Sequence, residues 1–224
     1  MPDPVTKEPN QRALAAADAR NRILAAAAEC IVRDGLAKVR MAGIAKAAGV
    51  SAGLLHYHFD TKEQLFADVL TYSHEVSAVL NEQALRGAGD RPAQRLSSFL
   101  DRCLPSDKQL ADEWLLWQEL ALLCIRQPEL AKVGAALYED FYSTVTEIIT
   151  DGIETGVFAP AIDSRKIAET AVALCDGLGA RVVANDPHLT LDEARATIAA
   201  TVGMLVGHDG PLPKPTSLLA GSHA

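Results

Sequence analysis

Residues 39–59 combine small, apolar and hydrogen-bonding side chains at a spacing that suits contact with DNA. The segment reads VRMAGIAKAAGVSAGLLHYHF, which predicts one short helix over about Met41–Ala48 and a second over about Ala52–His58. Gly49 can adopt the left-handed backbone that a tight turn needs, and the hydroxyl of Ser51 can cap the second helix. A helix-turn-helix of this kind can place its second helix in the major groove.

Two helices this short hold a fixed angle only if they share a core. We expect that core to contain Ile44, Ala45, Ala48, Val50, Leu55 and Phe59. The small residues Ala45, Ala48 and Gly53 would let the backbones approach closely. The outward side chains of the second helix would then be free to contact a duplex.

Other chemistries find little support. The sequence has no Gly-rich phosphate loop, no His-Glu-x-x-His and no Gly-x-Ser-x-Gly, which argues against the alternative of an all-helical enzyme, and no cofactor is predicted. His56 and His58 lie two residues apart and point to different sides of a helix, so no metal site is predicted. We expect the four cysteines to be buried free thiols, with redox sensing as the alternative: Cys30, Cys103, Cys124 and Cys175.

Residues 44–65 resemble the TetR family of transcriptional repressors. The resemblance rests on Ile44-Ala45, Ala48-Gly49-Val50-Ser51-x-Gly53 and Leu55-x-x-His58-Phe59-x-x-Lys62-Glu63-x-Leu65. Weaker similarity to the branch of the family that includes the choline-responsive BetI repressor comes from Trp114…Trp117-Gln-Glu, Gly152-Ile-x-x-Gly156-Val-Phe158 and Asp176-Gly177-Leu…Asp186-Pro187. The resemblance implies a dimeric repressor that binds operator DNA and senses a small molecule.

The resemblance also implies which side chains contact the operator. Those expected to face the bases are Ala52, Gly53, Leu54, His56 and Tyr57, and those expected near the phosphates are Arg40, Ser51, His58 and Lys62. Lys62 falls in the first turn of a helix, where a phosphate would also meet the helix's N-terminal amides. Alternatively, Tyr57 packs on a neighbouring helix, and Arg40 and Lys62 are solvated surface charges.

The charge distribution is compatible with DNA binding at one end. The 224 residues carry a formal charge of −8, but residues 1–62 carry +3 and residues 63–224 carry −11. An acidic region held away from the phosphates need not oppose binding. No run approaches the ~18 apolar residues of a membrane span, and residues 1–12 lack the apolar core of a signal peptide. We therefore expect a cytoplasmic protein with no membrane partner.

Apolar spacing of three and four residues predicts an all-α fold of about nine helices. Their expected bounds are about 18–34, 41–48, 52–58, 61–85, 92–104, 108–126, 129–155, 164–185 and 191–207. Gly35 would stop the first helix, and Thr61 would cap the fourth. We expect flexible tails at 1–17 and 209–224, a helix-turn-helix domain at 18–62, and a C-terminal ligand-binding and dimerisation domain at 63–208.

Apolar stripes on the last two helices predict a homodimer. The stripe residues are Ile167, Ala171, Leu174, Leu178 and Val182 on one helix and Ile198, Val202 and Leu205 on the next. Small neighbours, among them Gly177, Gly179 and Gly203, would let a second chain approach to form a four-helix interface, as the resemblance also implies. Alternatively, the stripes face the core of one chain. A dimer would read a near-palindromic operator.

Aromatic residues in the C-terminal region predict a pocket for a small organic effector. The candidates are Phe99, Cys103, Trp114, Trp117, Leu120, Tyr138, Phe141, Tyr142 and Asp176. The two tryptophans, with Glu113 or Glu119, indicate a cation-binding or ring-stacking site, and the alternative is that these residues are plain core. The resemblance implies that the effector binds better to a form of the dimer in which the two helix-turn-helix domains are wrongly spaced for adjacent major grooves. The remaining alternative is a DNA-binding protein with no effector.

Overall fold

The computed structural model describes residues 11–216, apart from the side chains of residues 11–13 and 129. This range forms nine α-helices and no strand: α1 (Gln11–Asp34), α2 (Met41–Ala47), α3 (Ala52–His58), α4 (Lys62–Gly87), α5 (Pro92–Arg102), α6 (Lys108–Arg126), α7 (Pro128–Glu154), α8 (Ser164–Val183) and α9 (Leu191–Leu205). The predicted all-α class is confirmed. The prediction for the start of α1 is wrong, because residues 11–17 of the expected tail are helical.

Short-range chemistry sets the helix ends in the N-terminal part. Gly35 and Gly49 follow α1 and α2 with φ of 76° and 65°, a backbone region that strongly favours glycine. The hydroxyl of Ser51 accepts a hydrogen bond from the amide of Leu54 at 3.1 Å, and Thr61 Oγ1 accepts one from Gln64 at 3.1 Å. These side chains cap α3 and α4, as the sequence predicts.

The chain divides into two compact units between Tyr72 and Ser73, within α4. The division falls ten residues after the predicted boundary at 62/63, because the first turns of α4 belong to the N-terminal unit. Leu65 is fully buried there, and Asp68 forms an ion pair with Arg20 of α1 at 2.9 Å. In the described part of the chain, none of the helices is long and apolar enough to cross a membrane.

The core of the C-terminal unit lies among α5, α7, α8 and α9. It contains most of the residues predicted to form the dimer interface. Ile167, Ala171 and Val202 are completely buried, and Ile198 is 4% exposed. Leu174, Leu178 and Leu205 pack against the same cluster, while Val182 is half-buried. The prediction is therefore wrong for Ile167, Ala171, Ile198 and Val202, because these side chains fill the space between helices of one chain. For the four half-buried residues it stays a prediction.

Residues 209–216 were expected to form a flexible tail, but they pack on the C-terminal unit. Leu212 is buried, and its amide donates to the carbonyl of Ala199 at 3.0 Å. Gln94 and Ser98 of α5 bond to the backbone of Lys214 and Thr216, at 2.7 and 3.0 Å. We call residues 209–216 the strap. Side chains of α5 form hydrogen bonds with its backbone, so the absence of a helical pattern did not mean disorder. Residues 1–10 and 217–224 of the predicted tails lie outside the described residues.

Gly152 of α7 lies directly against the ring of Phe158, which is 3% exposed. A methyl group at position 152 would overlap this buried ring, so we expect Gly152→Ala to lower the free energy of unfolding by about 1–3 kcal/mol. Chemical denaturation followed by circular dichroism measures the change. Gly43→Ala is the control, because no atom lies within 4 Å of its added Cβ. An unchanged midpoint for Gly152→Ala would contradict the packing.

Candidate DNA interface and effector cluster

The N-terminal unit holds α2 and α3 on a shared core. Ile44, Leu55 and Phe59 are at most 1% exposed, and Ala45 is 4% exposed. The guanidinium of Arg20 lies 5.5 Å from the centre of the Phe59 ring, which ties α1 to the end of α3. The shared core predicted for the turn is therefore present, although Val50 is only half-buried.

The outer face of α3 is open to solvent. Ala52, Gly53, His56 and Tyr57 are exposed, and Leu54 is half-buried. The Tyr57 ring is 79% exposed, so it does not pack on a neighbouring helix as the alternative proposed. A large aromatic side chain this exposed is available to a partner. A Cβ at Gly53 would have only Ser51 Oγ within 4 Å, so no neighbouring helix requires a glycine there.

The four residues predicted near phosphates have different surroundings. Arg40 is exposed directly before α2, and Ser51 is exposed while its hydroxyl caps α3. Lys62 is half-buried: its Nζ lies 3.4 Å from the carbonyl oxygen of Leu36 and 5.1 Å from the Phe66 ring centre. His58 is also half-buried, and its Nε2 has no hydrogen-bond partner among the described residues. Arg40 is thus the most accessible cation of the predicted set.

The C-terminal unit brings the predicted aromatic residues into two groups that meet on α7. In the first group, the Phe141 ring contacts Phe99 of α5 and Trp117 of α6, with centroid distances of 6.0 and 6.3 Å. His74 of α4 joins this group, 6.0 Å from Phe141 and 6.2 Å from Trp117. His74 Nε2 bonds to Asp140 at 2.8 Å, whereas its buried Nδ1 has no partner in the described structure.

The second group surrounds a partly buried carboxylate. Tyr138 stacks on Tyr142 and donates a hydrogen bond to Asp176 Oδ2 of α8 at 3.0 Å. Burial raises the pKa of Asp176, and the hydrogen bond from Tyr138 offsets part of this effect. Burial and the neighbouring Asp176 raise the pKa of Tyr138, so its hydroxyl remains a donor. The guanidinium of Arg165 already sits 4.7 Å from the Tyr142 ring centre, which shows that this group holds a cation on an aromatic face.

The remaining predicted pocket residues are Trp114, Leu120 and Cys103. Trp114 packs on α8, where a Cβ at Gly179 would lie 2.6 Å from its Nε1. Leu120 is buried in the core, and Cys103 caps α5. We call the two groups with Trp114 the aromatic cluster: His74, Phe99, Trp114, Trp117, Tyr138, Phe141, Tyr142 and Asp176.

Sequence reasoning missed His74, although a signal was present. The buried stripe of α4 continues through Ser73 and Ser77 after Leu70, so the inward face of the helix turns from apolar to polar. A polar stripe on a buried face indicates hydrogen-bonding partners inside the molecule, or a ligand. The sequence does not show which residues His74 meets, because Trp117 comes from α6 and Asp140 and Phe141 come from α7.

A separate open groove of about 910 Å³ lies between α4, α5, the start of α9 and the strap. Its lining mixes apolar residues with Asp101, Arg102, Asp192 and Arg195. Arg195 pairs with Asp101 at 2.6 Å, and Arg102 pairs with Glu113 at 3.4 Å. None of the predicted pocket residues lines this groove. The groove could not be predicted from the sequence, because one of its walls is the strap, which was expected to be a flexible tail.

A helix-turn-helix with an exposed second helix, joined to a larger helical unit that holds an aromatic cluster, defines a DNA-binding transcription regulator. Comparison with known proteins identifies the family. Residues 23–69 match the model of the tetR family of bacterial regulatory proteins, and residues 92–207 match that of the C-terminal domain of BetI-type transcriptional repressors. The chain therefore belongs to the TetR family of transcriptional regulators, with a C-terminal domain of the BetI type.

Individual relatives agree with this assignment. The transcriptional regulator BetI of Rhizobium meliloti is 25% identical over 203 residues, which cover 88% of this chain and 94% of the relative. A TetR-family regulator from a Rhodococcus species has a TM-score of 0.75 at 25% identity, covering 85% of this chain and 99% of that one. A transcriptional regulator from Saccharomonospora viridis, solved in complex with choline, has a TM-score of 0.75 at 27% identity, covering 87% and 98%.

Proposed function

We propose that this regulator is a repressor that binds its operator as a homodimer and is released by a small organic cation bound at the aromatic cluster. The observation that carries the proposal is Asp176, a partly buried carboxylate whose one described hydrogen bond comes from Tyr138. A buried carboxylate without a cation is costly, and a bound cation would remove that cost. The choline bound to the relative from Saccharomonospora viridis supports this ligand class.

The aromatic rings supply the second half of a cation site. Ligand cations bind over the faces of tryptophan, tyrosine and phenylalanine, which carry negative charge density. Tyr138 and Phe141 lie in the middle of α7, and Trp117 of α6 contacts Phe141, whereas the face of Tyr142 is occupied by Arg165. Asp176 would supply the counter-charge. This combination favours a quaternary ammonium compound over a neutral or anionic effector.

The open groove is the second candidate for the effector site, because it has a volume of about 910 Å³. Its charged residues are already paired, Arg195 with Asp101 and Arg102 with Glu113. A ligand would have to compete with these pairs. The aromatic cluster is favoured because Asp176 lacks such a partner in the described structure.

A thermal-shift assay tests the ligand class. Choline should raise the melting temperature, and at a hundredfold excess over its Kd the stabilisation is about 2.7 kcal/mol. The control is the uncharged alcohol in which carbon replaces the choline nitrogen, which has the same shape. Equal stabilisation by both compounds would contradict a cation site. Release of operator DNA at the same concentrations, followed by fluorescence anisotropy, links binding to repression.

We propose that α3 contacts the bases through Ala52, Gly53, Leu54, His56 and Tyr57, with Arg40, Ser51, His58 and Lys62 near phosphates. The exposure of Tyr57 and the free space around Gly53 support this assignment. Selection of bound duplexes from a random pool should return one near-palindrome.

Helix α4 continues from the DNA-binding unit into the unit with His74, so it is the covalent path between effector and operator sites.

Arg40 and Tyr57 should differ in how they affect DNA binding. We expect Arg40→Ala to weaken binding to operator and random DNA alike, because a phosphate contact carries no sequence information. The slope of the logarithm of the binding constant against the logarithm of salt concentration should become shallower by about one. We expect Tyr57→Ala to cost about 1–3 kcal/mol on the operator only. Anisotropy titrations at several salt concentrations measure both effects. Equal losses on operator and random DNA for Tyr57→Ala would contradict a base contact.

We propose that the homodimer forms through the exposed faces of α8 and α9. Small residues follow one another there at spacings of three and four: Thr170, Ala173, Gly177 and Ala180 on α8, and Ala196 and Ala200 on α9. Met204 is 73% exposed at the end of the α9 stripe. Small side chains let helices from a second copy approach closely, and the exposed methionine supplies apolar area.

A further inference from the structure

Cys103 and Cys175 form a pair of neighbouring thiols in the C-terminal unit. Cys103 caps the C-terminal end of α5, and Cys175 lies within α8. Cys103 Sγ is 3.5 Å from the carbonyl oxygen of Phe99, and Cys175 Sγ is 3.8 Å from the carbonyl oxygen of Leu100. Both sulfur atoms therefore lie against the same turn of α5. The two side chains belong to one packed cluster.

The two thiols differ in their access to solvent. Cys103 is half-buried, whereas Cys175 is completely buried. The hydrogen bond with Cys103 and burial raise the pKa of the Cys175 thiol well above its ordinary value. Cys175 therefore stays protonated, and a reagent from solvent meets Cys103 first. This order matches an oxidation in which one cysteine is oxidised first and its neighbour then closes the disulfide.

We propose that Cys103 and Cys175 are an oxidation site that reacts with hydroperoxides to form a disulfide between α5 and α8. In the first step, the sulfur of Cys103 attacks the outer oxygen of the hydroperoxide and the O–O bond breaks. The leaving oxygen takes the Cys103 proton and departs as an alcohol or, from hydrogen peroxide, as water. Cys103 becomes a sulfenic acid. In the second step, the sulfur of Cys175 displaces the hydroxyl group from Cys103, and water leaves with the Cys175 proton. The two thiols are oxidised by two electrons and the peroxide is reduced.

The other two cysteines lie in different surroundings. Cys30 is buried in the N-terminal unit, where Arg33 Nη2 donates to its sulfur at 3.5 Å. Cys124 of α6 is half-buried against Gly134 of α7, and burial raises its pKa. The proposed disulfide would join the helices that carry Phe99 and Asp176. It involves only atoms within one chain, so it does not depend on dimerisation or on the effector.

Thiol titration after treatment with hydrogen peroxide tests the proposal. The reduced protein should show four thiols per chain in denaturant, and the oxidised protein two. Peptide mass spectrometry should find the Cys103 and Cys175 peptides joined, with the loss of two hydrogen atoms. In Cys175→Ala, Cys103 should instead accumulate as a sulfenic acid that dimedone traps. Cys124→Ala is the matched control and should still lose two thiols on oxidation.

Three results would overturn the proposal. One is retention of all four thiols under peroxide that oxidises a small-molecule thiol completely. Another is a disulfide that involves Cys30, Cys124 or a second chain in place of the Cys103–Cys175 pair. The third is a failure of dimedone to label Cys103 in Cys175→Ala, provided that circular dichroism shows the variant to be folded. Cys103→Ala should form no intrachain disulfide and serves as the second folded variant.

Discussion

Ala173→Glu on the exposed face of α8 is expected to convert the protein to a monomer and to weaken operator binding by about a hundredfold or more. If a two-fold axis pairs the exposed face of α8 with its copy, the new carboxylates of the two chains lie close together. Their repulsion and desolvation would oppose association. A monomer binds one half-site only, so it loses the gain of about 10²–10⁴ in affinity that two linked half-sites provide.

Sedimentation equilibrium measures the oligomeric state, and anisotropy on a palindromic duplex and on a half-site measures binding. Ala131→Glu is the matched control, because it makes the same change at an exposed position of α7. It should leave both the dimer and the operator affinity intact. A dimeric Ala173→Glu protein with normal operator affinity would show that the chains associate through another surface.

The helices were predictable because their ends depend on neighbours in the sequence. The positive φ of Gly35 and Gly49 and the caps from Ser51 and Thr61 each involve residues within three or four positions. The helix-turn-helix was predictable for the same reason. Residues 11–17 were missed because they carry no anchoring apolar pattern, although the alanines among them favour helix.

The dimer interface was misassigned because an apolar stripe shows that a face is buried but not what buries it. Ile167 and Val202 satisfy the helical pattern equally well against α5 or against a second chain. The structure places both in the core of one chain. The exposed stripe has smaller and less apolar residues, such as Ala173 and Gly177, so it carries little signal in the sequence.

The aromatic cluster was partly predictable. Trp117, Phe141 and Asp176 stood out by residue type, and the structure brings each into one of two adjoining groups. Their mutual contacts were not predictable, because they depend on how α6, α7 and α8 pack. His74 was missed for the same reason, since its neighbours Trp117 and Asp140 are distant in sequence.

Asp176→Asn is expected to weaken binding of choline by about 30-fold, or 2 kcal/mol, and to leave the ligand-free protein at least as stable as the native chain. The pKa of Asp176 is raised in the folded state, so folding favours its protonated form. Protonated Asp176 therefore adds to the free energy of unfolding at low pH, and this contribution is lost as the pH rises through the raised pKa. Above the raised pKa the ionised carboxylate is therefore a cost, which asparagine removes while still accepting the hydrogen bond from Tyr138.

The same titration gives cation binding a pH dependence that the variant should lack. Native affinity for choline should fall as the pH is lowered through the raised pKa of Asp176, whereas Asp176→Asn should bind weakly at every pH. Isothermal titration calorimetry from neutral to mildly acidic pH measures both. Asp192→Asn is the matched control, because Asp192 lines the open groove and its side chain is 93% exposed. If Asp192→Asn weakened choline binding and Asp176→Asn did not, the effector would bind in the groove and the role proposed for the aromatic cluster would be wrong.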